Sequence, residues 1–156
     1  MQVLCAIGQR GGPELIRRVA ELVDGNSELL LLEVIDTGPR NHLERITGPL
    51  LHGPLHDPDR KQSLKAAEDS AGRAVIEEAQ ATAREAGLST RILVERGNPE
   101  RIIVRVAGDQ KVSLIVISAR EGAEGHPSIG PASVGHTARF VLDHAPCDVL
   151  LLREVR

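Results

Sequence analysis

The sequence predicts a single-domain, doubly wound α/β fold: a five-stranded parallel sheet in the order 3-2-1-4-5, with helices on both faces. Three observations carry this. Short apolar runs alternate with helical patterns along the whole chain, the signature of strands joined by crossover helices. One run, Leu29 to Ile35 (LLLLEVI), is nearly continuously apolar, as a strand covered on both faces must be. Two strands, the first and the fourth, empty into glycine-rich turns, and such turns flank the point where strand order reverses and a crevice opens. Those two strands are therefore expected side by side.

The first strand, Gln2 to Ile7 (QVLCAI), runs into Gly8-Gln9-Arg10-Gly11-Gly12, and Pro13 opens the first helix. Leu15, Ile16, Val19, Leu22 and Val23 recur at helical spacing, and Asp24-Gly25-Asn26 ends that helix. After the Leu29–Ile35 strand, Asp36 to Arg60 has no clean period and holds Gly38-Pro39, Gly48-Pro49, Gly53-Pro54 and Asp57-Pro58. A connection that long serves as a lid, a partner surface or an excursion, and Leu50, Leu51 and Leu55 would pin it over the cleft. A long helix closed by Gly87 carries Leu64, Ala67, Ala71, Val75, Ala79 and Ala83 on one stripe. Arg91 to Val94 form the third strand. Asn98-Pro99-Glu100 then starts a helix, with Asn as cap and Pro in the first turn, and Ile102, Ile103, Val106 and Ala107 face the core. The run Ser113 to Ser118 (SLIVIS) is the fourth strand. It breaks into a glycine-rich loop, Ala119 to Ala132, which opens a helix at Ser133-Val134-Gly135-His136-Thr137. Val134, Ala138, Val141 and Leu142 mark the apolar side of that helix, Ala145-Pro146 stops it, and Asp148 to Leu152 (DVLLL) ends the fold.

With 156 residues, 41% of them hydrophobic and 26% charged, the chain is expected to form one domain over residues 1–156. Its net charge of −3, with the two signs interspersed, argues against a nucleic-acid-binding face. There is no Trp or Tyr, and Phe140 is the one Phe, so stacking platforms for bases are not available. No apolar run approaches the roughly 20 residues that span a bilayer. The N-terminus lacks a basic-then-apolar leader, so the expectation is a cytoplasmic protein with neither membrane nor nucleic acid as partner. Cys5 in the first strand and Cys147 just before the last are expected to be small buried hydrophobes. His52 and His56 have the spacing of helical metal ligands, but Gly53-Pro54 breaks any helix between them, and no protein-bound metal is expected. Ser133 and His136 share one helical turn with no carboxylate placed beside them, so no catalytic residues and no enzymatic activity are expected.

The chemistry the sequence does suggest is anion binding. A strand that empties through glycines into a helix N-terminus gathers free N–H groups and the positive end of the helix dipole where a phosphate would sit. Gly130-Pro131-Ala132-Ser133 reads as such a phosphate loop or as a rigid turn into a Ser-capped helix. His136 donates to a phosphate or caps the first turn, and Gly8, Gly11 and Gly12 allow a ligand close to the backbone or permit a tight turn. Neither G-x-x-x-x-G-K-[ST] nor, after strand one, G-x-G-x-x-G is present. Val34 and Ile35 at the end of strand two read as aliphatic walls for an adenine or as what any buried strand end carries. His144 suits the negative end of its helix dipole, and Asp143 is expected in solvent.

Over essentially its whole length the chain resembles the universal stress protein family. The resemblance lies in the alternating layout, in Gly97-Asn98-Pro99 after strand three, in the glycine loop after strand four, and in the ending Arg139 to Arg153 (RFVLDHAPCDVLLLR). A helix closing in His-Ala-Pro-Cys before an apolar strand and a basic residue is the most specific of these marks. The resemblance implies a 3-2-1-4-5 sheet in a cytoplasmic protein and a homodimer through the last strand, Val149–Leu152, a pairing that removes an open apolar edge. Nucleotide-binding members hold ATP with spaced glycines followed by Ser or Thr. One register reproduces that spacing as Gly122, Gly125 and Gly135 followed by His136; the other, anchored on the strand end, puts Ser118 and Glu121 at the first two glycine positions. Gly8 stands where ATP-binding relatives place an aspartate. Carried over position by position, the resemblance puts Ala6, Ile7, Gly8 and Val34 around the base of ATP or AMP. Ser118 and Arg120 fall near the ribose, and Gly130, Ser133, Gly135, His136 and Thr137 around the phosphates. Two functions follow: a stress-associated adenine-nucleotide-binding regulatory protein with an altered site, or a nucleotide-independent dimeric module that binds an unidentified protein partner.

Overall fold

The computed structural model describes residues 1–8, 12–36, 58–119 and 134–153, with the side chains of 58–69 and 71 outside that description. The strands are β1 (Gln2–Ile7), β2 (Glu28–Asp36), β3 (Ser89–Gly97), β4 (Leu114–Ser118) and β5 (Asp148–Leu152), joined by α1 (Gly12–Ala20), α2 (Pro58–Glu85), α3 (Pro99–Asp109) and α4 (His136–His144). They form one sheet in the order β3-β2-β1-β4-β5, parallel throughout. The expected order is the observed one.

Side chains alternate across each strand and so build two cores. Val3, Cys5, Ile7, Leu29, Leu31 and Val116 pack with Leu15, Ile16 and Val19 of α1 and with Ile76, Ala79 and Ala83 of α2. On the other face Leu4, Leu30, Leu32, Ile115 and Ile117 pack with Ile102, Ile103 and Val106 of α3 and with Ala138 and Val141 of α4. Leu29 to Leu32 are each no more than 1% exposed, which is why that run reads as apolar at every position rather than at every second one.

Several boundaries differ from the sequence reading. β3 runs from Ser89 to Gly97, well beyond Arg91–Val94, because an edge strand alternates exposed polar residues with half-buried ones and its apolar run looks short. Asp36 belongs to β2 and Pro58 opens α2, so the irregular connection expected at 36–60 narrows to residues 37–57, which lie outside the described residues together with His52 and His56. On α2, Ala79 and Ala83 are buried as expected, and Ile76 joins them at 2% exposure. Gly12 has a packing role at the start of α1. It is the buried first residue of α1, where a Cβ would stand 3.1 Å from Val75 Cγ1 and 3.2 Å from Ile7 Cγ2, so its missing side chain lets α1, α2 and β1 meet.

Both cysteines are free. Burial pushes the Cys5 thiol up to about 12 and leaves it an inert core group. Cys147 is half-buried rather than buried, its thiol raised by desolvation and by neighbouring Asp148. Among the described residues no helix is long and apolar enough to cross a membrane, and no cluster of His, Cys, Asp and Glu could hold a metal ion.

Leu31 is fully buried and Leu22 is 61% exposed. Leu31→Ala is expected to cost about 2–5 kcal/mol, and Leu22→Ala no more than about 0.5 kcal/mol. Urea unfolding midpoints check the pair, and equal losses would contradict the two-core assignment.

Candidate functional site at the carboxyl ends of β1 and β4

β1 pairs with β2 on one side and with β4 on the other, the latter in register from Val3↔Leu114 to Cys5↔Val116. The chain winds outward from β1 through β2 to β3, then returns to β4 and winds outward to β5. Strand order therefore reverses between β1 and β4, and crossovers leaving in opposite directions open a crevice beyond their carboxyl ends. Ile7 and Gly8 end one wall, Ser118 and Ala119 the other. The Ala119 amide donates to the Leu152 carbonyl at 2.8 Å, so β4 stays tied to β5 to its last residue.

Around this crevice the predicted residues divide. Ala6 and Val34 are half-buried against the α3/α4 core and so share a face. Ile7 is buried on the opposite face beneath α1, and its side chain cannot join theirs, because adjacent strand residues point opposite ways. Gly8 and Ser118 are exposed at the strand ends. Arg120, Gly130 and Ser133 lie outside the described residues, as do Glu121, Gly122 and Gly125, on which the choice of register rests.

α4 begins at His136, later than the Ser133 expected to open it. Its cap is Gly135 at φ 92° and ψ 161°, a conformation that favours glycine, and no side chain caps the helix. A Ser-capped start is thereby replaced by a glycine-capped one, with Val134 half-buried below it and Thr137 half-buried in the first turn. The first-turn N–H groups of α4 point toward the end of the sheet where β4 finishes.

A residue that sequence reasoning treated only as part of a helix start completes the site. Asn98 caps α3, its Oδ1 accepting the Arg101 amide at 3.2 Å, with Pro99 in the first turn. Glu100 follows and is buried, 8% exposed. Its Oε1 lies 3.3 Å from His136 Nε2, joining the first turns of α3 and α4. Burial pushes the Glu100 carboxyl up, but hydrogen bonds from its own backbone amide, from Asn98 and from His136, with the histidine's charge, outweigh that and hold it below the usual carboxylate range. The carboxylate is thus a fixed anion near the start of α4. His136 neither caps its own helix nor stands apart: it bridges to α3 while 80% of its side chain faces solvent. The signal in the sequence was positional. α3 starts at the same sheet end as the glycine loop and, in this strand order, beside α4.

At the far end of α4, His144 Nδ1 lies 2.9 Å from the Phe140 carbonyl, and the two rings stack with centroids 4.1 Å apart. That matches the dipole role read for His144. A separate hollow of about 410 Å³ opens between α2 and the β2–β3 edge, lined by Ile35, Arg73, Ile76, Glu77, Ile92, Val94 and Arg96. Of the residues predicted to meet a ligand it contains Ile35, which is thereby separated from Val34 on the other face of the sheet.

A five-stranded parallel sheet in this order, with helices on both faces, defines a small doubly wound α/β domain. Residues 1–153 match the model of the Universal stress protein family, and the chain belongs to that family. Universal stress protein E of Escherichia coli K12 is 35% identical over 60 residues, a match that covers 38% of this chain and 18% of that protein. The fold is shared with UspA of Lactobacillus plantarum (TM-score 0.68, 23% identity, 98% and 97% of the two chains). It is shared also with a universal stress protein solved in complex with cAMP (0.62, 16%, 99% and 98%). A third match is a family protein of Arabidopsis thaliana solved with AMP bound (0.61, 15%, 99% and 92%).

Two changes at the start of α3 test this description. Asn98→Ala should lower stability by about 1 kcal/mol in urea unfolding, the loss of one cap. Because the folded Glu100 is held below its unfolded range, its stabilisation is present above about pH 4.3 and is lost as pH falls through the folded value. Glu100→Gln should therefore melt lower than the native protein at neutral pH, and the gap should close as pH drops below about 4. A gap that widens in acid would contradict the ionised, hydrogen-bonded carboxylate.

Proposed function

We propose that this chain is a non-catalytic regulatory member of the universal stress protein family that binds an adenine nucleotide beyond the carboxyl ends of β1 and β4. The observation that supports this most is the start of α4: a glycine cap at φ 92°, placed at the strand reversal where phosphate-binding turns sit. The two structural neighbours solved with cAMP and with AMP point the same way. In this reading Ala6 and Val34 wall the base, and Gly8 gives it close backbone approach. Ser118 and Arg120 lie by the ribose, while Gly130, Ser133, Gly135, His136 and Thr137 surround the phosphates. ATP or AMP occupancy would then alter contacts along the β5 edge, where a second copy pairs with Val149–Leu152.

A second reading has its own support. Ser118 stands at a strand end where nucleotide-binding relatives carry glycine, and Glu100 fixes a negative charge close to the phosphate position. On that reading the domain is a dimeric interaction module and the crevice is structural.

Calorimetric titration with AMP and ATP separates the two. The nucleotide reading predicts saturable heat, weakened several-fold by His136→Ala and abolished by Gly130→Asp through bulk and charge. No heat at millimolar nucleotide, or equal affinity in all three proteins, would leave the interaction module standing.

A further inference from the structure

We propose that Glu100 and His136 make nucleotide capture at the start of α4 proton-dependent: the protonated imidazole bridges the Glu100 carboxylate and a ligand phosphate, and the neutral imidazole cannot. This rests on the nucleotide reading above and names how that same site is regulated.

The argument is one of donors and acceptors. An ionised carboxylate and a phosphate oxygen both accept hydrogen bonds and offer none. A neutral imidazole has one N–H and one lone pair, so it can satisfy one of the two anions; only the imidazolium carries two N–H groups. His136 has the geometry for both. Its Nε2 is already engaged by Glu100 Oε1 at 3.3 Å, and 80% of its side chain faces solvent, which leaves the opposite ring edge open to a ligand. Glu100 does not yield, because it is buried and is also bonded by its own amide and by Asn98. Without the bridging proton, a phosphate entering here meets an unscreened carboxylate.

The charged groups on the described elements around His136 can be placed one by one. On α3, Arg105 pairs with Glu95 and Asp109, at 3.2 and 3.3 Å, and Arg101 is exposed. β4 carries no charged residue, and the Asp148 of β5 sits at the amino end of its strand, the opposite edge of the sheet. On α4 itself Arg139 keeps its charge throughout, while Asp143 and His144 occupy the far end of the helix. Among the described residues the proton invoked is the one on His136, and imidazoles as a class change charge between about pH 5 and 8.

Calorimetry with cAMP tests this, because a phosphodiester, unlike a phosphate monoester, keeps one charge across this range. Titrations of the native protein at about pH 6 and about pH 8 should differ by about fivefold or more in affinity, tighter in acid. Repeating them in buffers of different ionisation enthalpy should show proton uptake on binding, a readout that needs no variant. His136→Gln should bind with the same affinity at both values, no tighter than the native protein in base. Glu100→Gln should bind more tightly than the native protein in base, since the repelling charge is gone. Native binding that is pH-independent, or a pH dependence that survives His136→Gln, overturns the proposal and leaves the nucleotide reading intact. An absence of cAMP heat at both pH values overturns the proposal, and the AMP and ATP titrations above then decide the nucleotide reading separately.

Discussion

The side-by-side pairing of β1 with β4 governs how the functional end of this molecule is built. Their register from Val3↔Leu114 to Cys5↔Val116 places the two central strands in contact while the chain winds away from them in opposite directions. A reversal of this kind is where crevices open in doubly wound sheets, so its place follows from topology rather than from any one side chain. The pairing in turn depends on two cores of small branched residues. Val3, Cys5 and Val116 are sealed under α1 and α2, and Leu4 and Ile115 under α3 and α4. Gly12 permits a close approach among α1, α2 and β1, where a Cβ would crowd Val75 and Ile7.

Electrostatics then specialise the crevice. Helix N-termini favour anions, and two of them, α3 and α4, meet at this end of the sheet. α3 meets that preference from within the chain, since Glu100 lies in its own first turn, ionised and hydrogen-bonded. α4 is capped by a glycine, and His136 is the contact between the two helix starts. The same pair limits what the site will take. A ligand anion must be accommodated beside a carboxylate that burial and hydrogen bonds keep in place.

The strand order, the limits of β1 and β5 and the face of α3 were legible because apolar runs and helical spacing record burial directly, whereas α1 ends at Ala20, short of the expected Asp24, and leaves Leu22 61% exposed. The start of α4 was less legible. Ser133 is a better cap than Gly135 by residue preference, yet backbone conformation decided the boundary. Ile7 was placed in the site by its strand position, but strand alternation turns its side chain into the other core. Glu100 was the residue hardest to see. A glutamate after Asn-Pro reads as an ordinary acid in a first turn, and its burial and its contact with a histidine 36 residues later exist only once two helices pack together. Cys147 marks the opposite case, a residue type that usually is buried but here lies at the sheet edge, half covered.

Backbone amide shifts recorded as cAMP is added to the native protein test the central claim most directly. The account predicts that the amides of Gly8, Ser118, Gly135, His136 and Thr137 move together along one saturation curve while those of Leu22 and Lys111 stay fixed. Shifts confined instead to Ile35, Arg73, Ile92 and Val94, around the hollow beside α2, would contradict it.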